Sequence, residues 1–224
     1  MPKVSAASLL REIEEAPASG PPMQQRRFRE AIELIKTEEL IEAVYSWRFV
    51  ELDAPPGETL RAGGEAIYAP KLLPESGELT ALACGVATIG ARAEQRIGAL
   101  FAERRMSLAL ALDAAANRLV FAVSRRLQDR MLVAARKQGL TMAGELRPGD
   151  PGLALQTQAA VVRLADGGSI GVHVSDGQTL RPLKSISMVL GVGIDLPAVH
   201  WSRCDECRSR SSCKHAGLAQ AASP

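Results

Sequence analysis

Apolar residues recur at three- and four-residue steps between Met23 and about Val44, with charged residues between them, which predicts an amphipathic helix. The preceding residues 16–22 are Ala-Pro-Ala-Ser-Gly-Pro-Pro, and proline cannot continue a helix because it lacks a backbone donor and restricts its predecessor. We therefore interpret residues 1–22 as a short N-terminal helix and a linker. This linker lies inside a domain or belongs to a floppy arm.

A two-residue period follows, because Tyr45, Trp47 and Phe49 alternate with Ser46, Arg48 and Val50. This alternation predicts a strand, which ends where Ala-Pro-Pro-Gly at 54–57 breaks the chain. A second apolar strand is predicted over roughly residues 79–88 and ends at Gly90. Cys84 lies within this apolar run, so we expect an inert core thiol.

Residues 99–138 contain neither glycine nor proline, and this span is several times the mean helix length of about 11–12 residues. It should therefore hold at least two helices. Ser107 is the expected N-cap of the second helix. Arg136 and Lys137 are favourable near the negative, C-terminal end of that helix's dipole. Gly139 is expected to end the helix by adopting the left-handed conformation.

The third quarter of the chain mixes turns with short apolar segments. A turn-rich loop at 147–152 is followed by a predicted helix over about 153–164, a strand at 170–174 and a buried strand at 184–190 that ends at Gly191. Helices interspersed with strands on short turns favour an α+β fold with an antiparallel twisted sheet and flanking helices. We expect this domain to cover residues 23–196, with a Cys-rich tail at 197–224.

Composition excludes several classes of function. The chain has 224 residues and 46% apolar content, enough for a real core, and its formal charge of +2 is too small for the positive field that nucleic-acid binding uses. No apolar run approaches the roughly 20 residues of a membrane span. We therefore expect a soluble, cytoplasmic protein. The sequence also lacks a Ser-His-Asp pattern, a phosphate loop and a dinucleotide fingerprint.

Three stretches, in order, resemble the activation domain of cobalamin-dependent methionine synthase and its free-standing relatives. The first is Ala-Thr-Ile-Gly at 87–90 followed by Leu-Asp-Ala-Ala-Ala-Asn-Arg-Leu at 112–119. The second is Pro-Gly-Asp at 148–150 with Gln158 downstream. The third runs from Gly-Val-His-Val-Ser-Asp at 171–176 to Pro-Leu-Lys-Ser-Ile-Ser-Met-Val-Leu-Gly at 182–191. The resemblance covers roughly residues 23–195.

The resemblance implies reductive methylation. In this family an electron donor such as flavodoxin or ferredoxin reduces cob(II)alamin on a corrinoid-bearing methionine synthase or methyltransferase subunit, and S-adenosylmethionine traps the product as methylcobalamin. The activation domain would lower the barrier by orientation rather than by acid-base chemistry, so no catalytic side chain is required. The chain would then be part of a methyltransferase activity.

The same resemblance implies a cofactor site. Glycine in the loop lets a ligand approach the backbone, Arg147 could pair with the methionyl carboxylate, and Asp150 could attract the sulfonium or the amino group. The alternative is a simple turn before a helix, with Arg147 solvated. The S-adenosylmethionine site implied by the resemblance comprises Arg147, Pro148, Gly149, Asp150, Gln158, Lys184 and Ser185. We expect the loop and the sheet behind it to form a shallow cradle facing the cobalt-bearing partner.

Three positions depart from the family pattern. In an ungapped register the family's loop arginine falls on Glu145, its tyrosine on Asp150 and its acidic helix residue near Phe121. Glu145 would repel the ligand carboxylate. The alternative function is therefore a non-enzymatic partner that docks on a corrinoid protein, carries a Cys-rich metal or iron–sulfur tail and does not bind S-adenosylmethionine.

The tail is the second chemical feature. Cys204 and Cys207 are spaced to chelate one ion, and Cys213 with His215 could complete a tetrahedral zinc set. An iron–sulfur cluster on three cysteines is also open, as is a tail that binds nothing.

Two other groups of residues have simpler interpretations. His173 is expected to be a half-buried structural residue of a strand. Arg125, Arg126 and Arg130 are expected on one long helix, either as a solvated face or as a docking surface for an acidic partner.

Overall fold

The computed structural model describes residues 3–15 and 21–197 and contains helices on both sides of an antiparallel sheet. Its helices are α1 (Ala6–Glu15), α2 (Pro22–Thr37), α3 (Arg92–Ala102), α4 (Met106–Lys137) and α5 (Gln158–Leu164). Its strands are β1 (Val44–Glu51), β2 (Thr59–Ala62), β3 (Glu65–Tyr68), β4 (Glu78–Thr88), β5 (Thr141–Leu146), β6 (His173–Val174), β7 (Leu180–Arg181) and β8 (Ser185–Ile194).

The main sheet has four strands in the order β1-β4-β8-β5, and every neighbouring pair is antiparallel. Two short hairpins, β2–β3 and β6–β7, lie outside it. The expected α+β class with an antiparallel sheet and flanking helices is confirmed.

Strand β4 is buried along nearly its whole length because both faces of the sheet are covered. On one face Ala81, Ala83, Gly85 and Ala87 are small, so α4 lies close, with Leu127 and Met131 packed over Gly85. On the other face Leu82, Cys84 and Val86 contact α5 and the β2–β3 hairpin. The sheet thus separates two apolar cores.

Cys84 lies in the second core and is fully buried, as expected. Burial raises the pKa of its thiol to about 12, because the apolar surroundings disfavour the thiolate. The reactive form is therefore scarce at neutral pH.

Helix α4 ends as the sequence predicts. Gly139 has φ +71, its N–H donates to the Arg136 carbonyl, and the N–H of Leu140 donates to the Ala135 carbonyl, which is a Schellman motif. The expected N-cap is wrong by two residues, since Arg105 rather than Ser107 precedes the first turn.

By length and composition alone α4 would pass as a membrane span. Half of its most apolar window is buried, and its buried side chains form much of the core between the sheet and α1, α2 and α3. Amphipathic α1 joins this core through Leu9, Leu10 and Ile13.

The predicted helix 23–44 ends earlier than expected, at Thr37. Glu39 adopts a left-handed φ of +50, and the N–H of Leu40 returns to the Ile35 carbonyl. This is again a Schellman closure, formed without the glycine that usually marks it. Leu40 and Ile41 are buried in the connection to β1, which explains why their spacing resembles a continuing helix.

The third quarter departs most from expectation. The predicted helix 153–164 begins as α5 only at Gln158, because the Leu153 carbonyl accepts the N–H of Gly149 and closes the loop instead. The predicted strand 170–174 begins at the last residue of a 3₁₀ turn over Gly167–Ile170, and only its last two residues form a strand, β6. Strand β5 is absent from the sequence prediction because a bulge interrupts its alternation.

Strand β8 continues past Gly191, its predicted end, to Ile194. Beside it, the β4 register shifts between Leu79 and Ala81 and brings the two backbones close together. A Cβ at Gly193 would overlap the Glu78 carbonyl oxygen, and one at Gly191 would lie 2.9 Å from Leu79 Cδ1. These glycines therefore permit close pairing and do not end the strand.

We expect Gly193→Ala to lower the free energy of unfolding by about 2 kcal/mol or more, because the backbone of β4 must move to admit the methyl group. Urea unfolding followed by circular dichroism measures the change. The matched control is Gly98→Ala in α3, where the added Cβ meets no atom within 4 Å and should stabilise the helix by about 0.5–1 kcal/mol. Equal effects of the two substitutions would contradict the close approach.

Candidate functional site

The candidate site lies at the edge of the sheet where β5 separates from β8. Their ladder ends at the pair Leu146–Val189, so among the described residues the segment Ser185–Met188 of β8 has its strand partner only in β4. The other flank of this segment has no described strand beside it, and its residues Ser185 and Ile186 are half-buried while Ser187 and Met188 are buried. We call Ser185–Met188 the open edge.

A bulge in β5 shapes the approach to this edge. Between Ala143 and Leu146 the register shifts by one residue against β8, and Gly144 takes a left-handed φ of +66. A bulge turns a neighbouring side chain out of the strand's regular alternation. Glu145 is the residue that follows the glycine.

The loop after β5 is closed by its own hydrogen bonds. The Asp150 carboxylate accepts the N–H of Arg147 at 2.8 Å, and the N–H of Asp150 donates to the Arg147 carbonyl at 2.8 Å. Gly149, at φ +98, donates its N–H to Leu153. Pro148 lies half-buried between them. Asp150 therefore fixes the loop's shape. Two larger cavities lie elsewhere: one of about 740 Å³ between residues 3–5, β1 and α4, and one of about 650 Å³ beside α1.

Arg147 is held on two sides. Its Nε donates to Glu145 Oε1 at 2.8 Å, and its guanidinium lies 5.6 Å from the centre of the Phe121 ring. The ion pair is only partly exposed, with 19% of the Arg147 side chain and 24% of the Glu145 side chain accessible. Phe121 is 48% exposed, which is unusual for an aromatic side chain.

Lys184 connects the start of β8 to α4. Its ammonium donates to Asp113 Oδ1 at 2.6 Å and to Asn117 Oδ1 at 2.8 Å, and its side chain is 13% exposed. Asn117 also donates to Asp113, so the three side chains form one network. The Lys184 carbonyl accepts the N–H of Ile89, which fixes the strand end as well.

The remaining expected ligands are also bonded within the protein. The Ser185 hydroxyl donates to the Pro182 carbonyl at 2.7 Å and is hydrogen-bonded to the Thr88 hydroxyl at 2.8 Å. Gln158 is buried and donates to the Gln178 carbonyl at 2.6 Å, joining α5 to the turn before β7. These two side chains shape the structure around the open edge.

One face of α4 joins the two groups of expected ligands. Asp113, Asn117 and Phe121 follow at four-residue steps and so lie on the same side of the helix. The first two contact Lys184 and the third contacts Arg147. The structure thus places the loop and the start of β8 along one helical stripe, with Gln158 behind the sheet.

Sequence reasoning did not assign roles to Asp113 and Asn117. Their four-residue spacing inside the recognised segment 112–119 is a usable signal, but the lysine that they bind lies 71 positions from Asp113 along the chain. It also did not find that the Ser187 hydroxyl, within the open edge, is buried with no hydrogen-bond partner in the described part of the chain. Such an orphaned group normally has a specific reason.

The proposed metal ligands Cys204, Cys207, Cys213 and His215 lie outside the described residues. Within residues 3–15 and 21–197 there is no group of three or more His, Cys, Asp or Glu side chains that could hold a metal. His173 is exposed on the short strand β6 rather than half-buried.

No known family model matches the chain, and no curated protein matches it. Among solved structures, the crystal structure of the MetH reactivation domain bound to AdoHcy aligns with a TM-score of 0.61 and 14% sequence identity. The alignment covers 96% of this chain and 84% of that chain. At this identity the likeness concerns the fold, and it confirms the activation-domain-like architecture expected from the motifs.

We expect Lys184→Met to lower the free energy of unfolding by about 1–2 kcal/mol, because two acceptors on α4 lose a partly buried partner. Chemical denaturation measures the change. The control is Arg48→Met, which breaks a pair with Asp166 whose side chains are 59% and 41% exposed and should cost about 0.5 kcal/mol or less. A loss for Lys184→Met no larger than that control would mean that the network does not hold β8 to α4.

Proposed function

We propose that this chain is a stand-alone activation subunit for a cobalamin-dependent methionine synthase. It binds S-adenosylmethionine and supports reductive methylation of cob(II)alamin held by a partner protein. The observation that carries the proposal is the fold of the MetH reactivation domain over 96% of the chain. The neighbour's ligand, AdoHcy, is what S-adenosylmethionine becomes after methyl transfer.

The charges at the candidate site fit such a ligand through exchange of ion pairs. S-adenosylmethionine carries one carboxylate and two cationic centres, the ammonium and the sulfonium. The Glu145–Arg147 pair, at 2.8 Å, is the complementary arrangement of one cation and one carboxylate. The ligand carboxylate replaces Glu145 at Arg147, and Glu145 then faces the ligand's cations. Because one carboxylate replaces another, the exchange costs little net electrostatic energy.

The rest of the surface suits the adenosine group. Phe121 is exposed beside Arg147 and offers a face on which an adenine can stack. Along the open edge, the unpaired flank of the half-buried residues Ser185 and Ile186 supplies backbone donors and acceptors. In this arrangement Lys184, Ser185, Asp150 and Gln158 position the surface rather than contact the ligand.

The chain's contribution to the reaction is positioning. S-adenosylmethionine supplies the methyl group to the reduced cobalt of the partner, and an electron donor such as flavodoxin or ferredoxin supplies the electron. A bound and oriented methyl donor gains rate because translational and rotational freedom is already lost. No side chain needs to transfer a proton. The compartment that fits these partners is the cytoplasm.

We expect isothermal titration of the full chain with S-adenosylmethionine to show saturable binding, and Arg147→Ala to weaken it about tenfold or more because the carboxylate loses its charged donor. The matched control is Arg48→Ala, an ion-paired surface arginine on the opposite edge strand β1. The Arg48→Ala variant should bind S-adenosylmethionine with the same affinity as the unaltered chain.

Two outcomes would contradict this proposal. The absence of heat at millimolar S-adenosylmethionine would remove the cofactor role. Equal loss of affinity in Arg147→Ala and Arg48→Ala would place the ligand elsewhere. A second readout is the formation of methylcobalamin, followed by its visible spectrum, when the chain is mixed with a corrinoid-bearing synthase that lacks its own reactivation domain.

A second candidate function is non-enzymatic docking on a corrinoid protein with a Cys-rich metal or iron–sulfur tail. The observation that favours it is the internal satisfaction of the loop, in which Glu145 neutralises Arg147 and Asp150 is bonded to the Arg147 N–H. A ligand must displace one of these bonds before it can bind. In this function the fold provides the docking surface and the tail carries the chemistry.

The tail makes a separate prediction. We expect anaerobically purified chain to contain stoichiometric zinc or iron, held by Cys204, Cys207, Cys213 and His215, because closely spaced thiolates chelate one ion. Elemental analysis measures the content. Cys207→Ser should lose the metal, whereas Cys84→Ala, which removes the buried core thiol, should retain it. Absence of both metals from the unaltered chain would leave a tail that binds nothing.

A further inference from the structure

A basic groove lies between the edge strand β1 and the C-terminal half of α4, on the α4 side of the sheet. Tyr45 and Trp47 of β1 and Val133 and Ala134 of α4 line it, and its volume is about 740 Å³. The N-terminal segment forms one wall, because Lys3 bridges to Val44 and the N–H of Val4 donates to the Ala43 carbonyl at 3.0 Å. The volume lies within the roughly 300–1,000 Å³ of small-molecule sites.

Basic side chains dominate the lining of this groove. Lys3, Arg126, Arg130 and Lys137 face a single acidic residue, Asp129. Arg126 is neutralised by Glu12 at 3.3 Å and also donates to Ser8 at 2.9 Å. Within the described part of the chain, Lys3, Arg130 and Lys137 have no carboxylate at ion-pair distance.

Uncompensated cations around one concavity repel each other and attract an anion. A groove with protein walls concentrates this field more than a flat surface does. A single carboxylate would leave most of the charge unbalanced, whereas a diphosphate matches three cations that approach from different walls. The charge therefore favours a phosphorylated ligand.

Trp47 adds a second recognition element. It lines the groove and is half-buried, packing partly against the core and partly against Phe49, at a ring-centre distance of 4.9 Å. An indole face beside phosphate-binding cations suits an aromatic base, which stacks on it whatever its identity. Asp129, also in the lining, can accept hydrogen bonds from ribose hydroxyls or an exocyclic amino group.

We propose that this groove binds a nucleotide, with its base against Trp47 and its phosphates between Lys3, Arg130 and Lys137. The groove is formed by β1, the N-terminal segment and residues 126–137 of α4, and shares no lining residue with the open edge or the loop at 147–150. The nucleotide site therefore does not depend on the proposed S-adenosylmethionine function.

Calorimetric titration of the full chain with ADP, inorganic pyrophosphate and adenosine tests the proposal. We expect ADP to bind at least tenfold more tightly than pyrophosphate or adenosine, because only ADP engages both the indole and the cations. The affinity should fall as salt is added. In a Trp201→Phe background, ADP should also quench the fluorescence of Trp47.

Matched variants locate the site. Arg130→Ala and Lys137→Ala should each weaken ADP binding about tenfold, and Trp47→Leu should reduce the preference for ADP over pyrophosphate. The control is Arg136→Ala, which removes a cation of the same helix turn that does not line the groove and should change the affinity less than twofold.

Four results would overturn the proposal. The first two are the absence of ADP binding at millimolar concentration and equal affinity for ADP and pyrophosphate. The third is a loss of ADP affinity in Arg136→Ala as large as that in Arg130→Ala. The fourth is tighter binding of a hexaglutamate peptide than of ADP. The last result would identify the groove as a docking surface for an acidic protein. Unchanged S-adenosylmethionine binding in Arg130→Ala keeps the two sites separate.

Discussion

The pairing of β4 with β8 is the constraint on which the rest of the molecule depends. Both faces of this pair are buried, so its side chains must serve two cores at once. Small residues on the α4 side of β4 let the long helix lie against the sheet, while larger ones fill the opposite core. Glycines in β8 let the two backbones pass closely where the register shifts. The packing of these strands and of α4 therefore fixes the geometry of the candidate site.

Helix α4 and the two edges of the sheet define two separate chemical surfaces. Near its start α4 holds Lys184, and one turn further along it meets Arg147 through Phe121. Its last turns form a wall of the basic groove beside β1. Because α4 packs along the sheet, it contributes to both surfaces, although the groove lies beside the edge strand β1 and the loop follows the opposite edge strand β5. The two surfaces share no residue.

The open edge exists because β5 pairs with only part of β8. Because of the β5 bulge at Gly144 and the end of the β5 ladder at Leu146, one flank of Ser185–Met188 has no strand partner in the described part of the chain. The same bulge presents Glu145 to Arg147, so a position that departs from the family pattern became half of an ion pair. This departure from the pattern has a structural consequence, because Arg147 is neutralised by an acidic residue of its own loop.

The sequence by itself determined the class of the fold, the strands around Tyr45 and Cys84 and the left-handed stop at Gly139. The strands and the helix stop are local properties, set by periodicity and by the freedom of glycine, whereas the activation-domain-like architecture was expected from a resemblance of motifs. Only the tertiary structure decided that α2 ends at a left-handed Glu39, that β8 passes through its glycines, and that Lys184 binds Asp113 and Asn117. It also decided that Arg147 pairs with Glu145 and that Lys3 joins α4 around one groove. The physical reason is that such outcomes depend on atoms brought together from distant parts of the chain, and no local pattern encodes their distances.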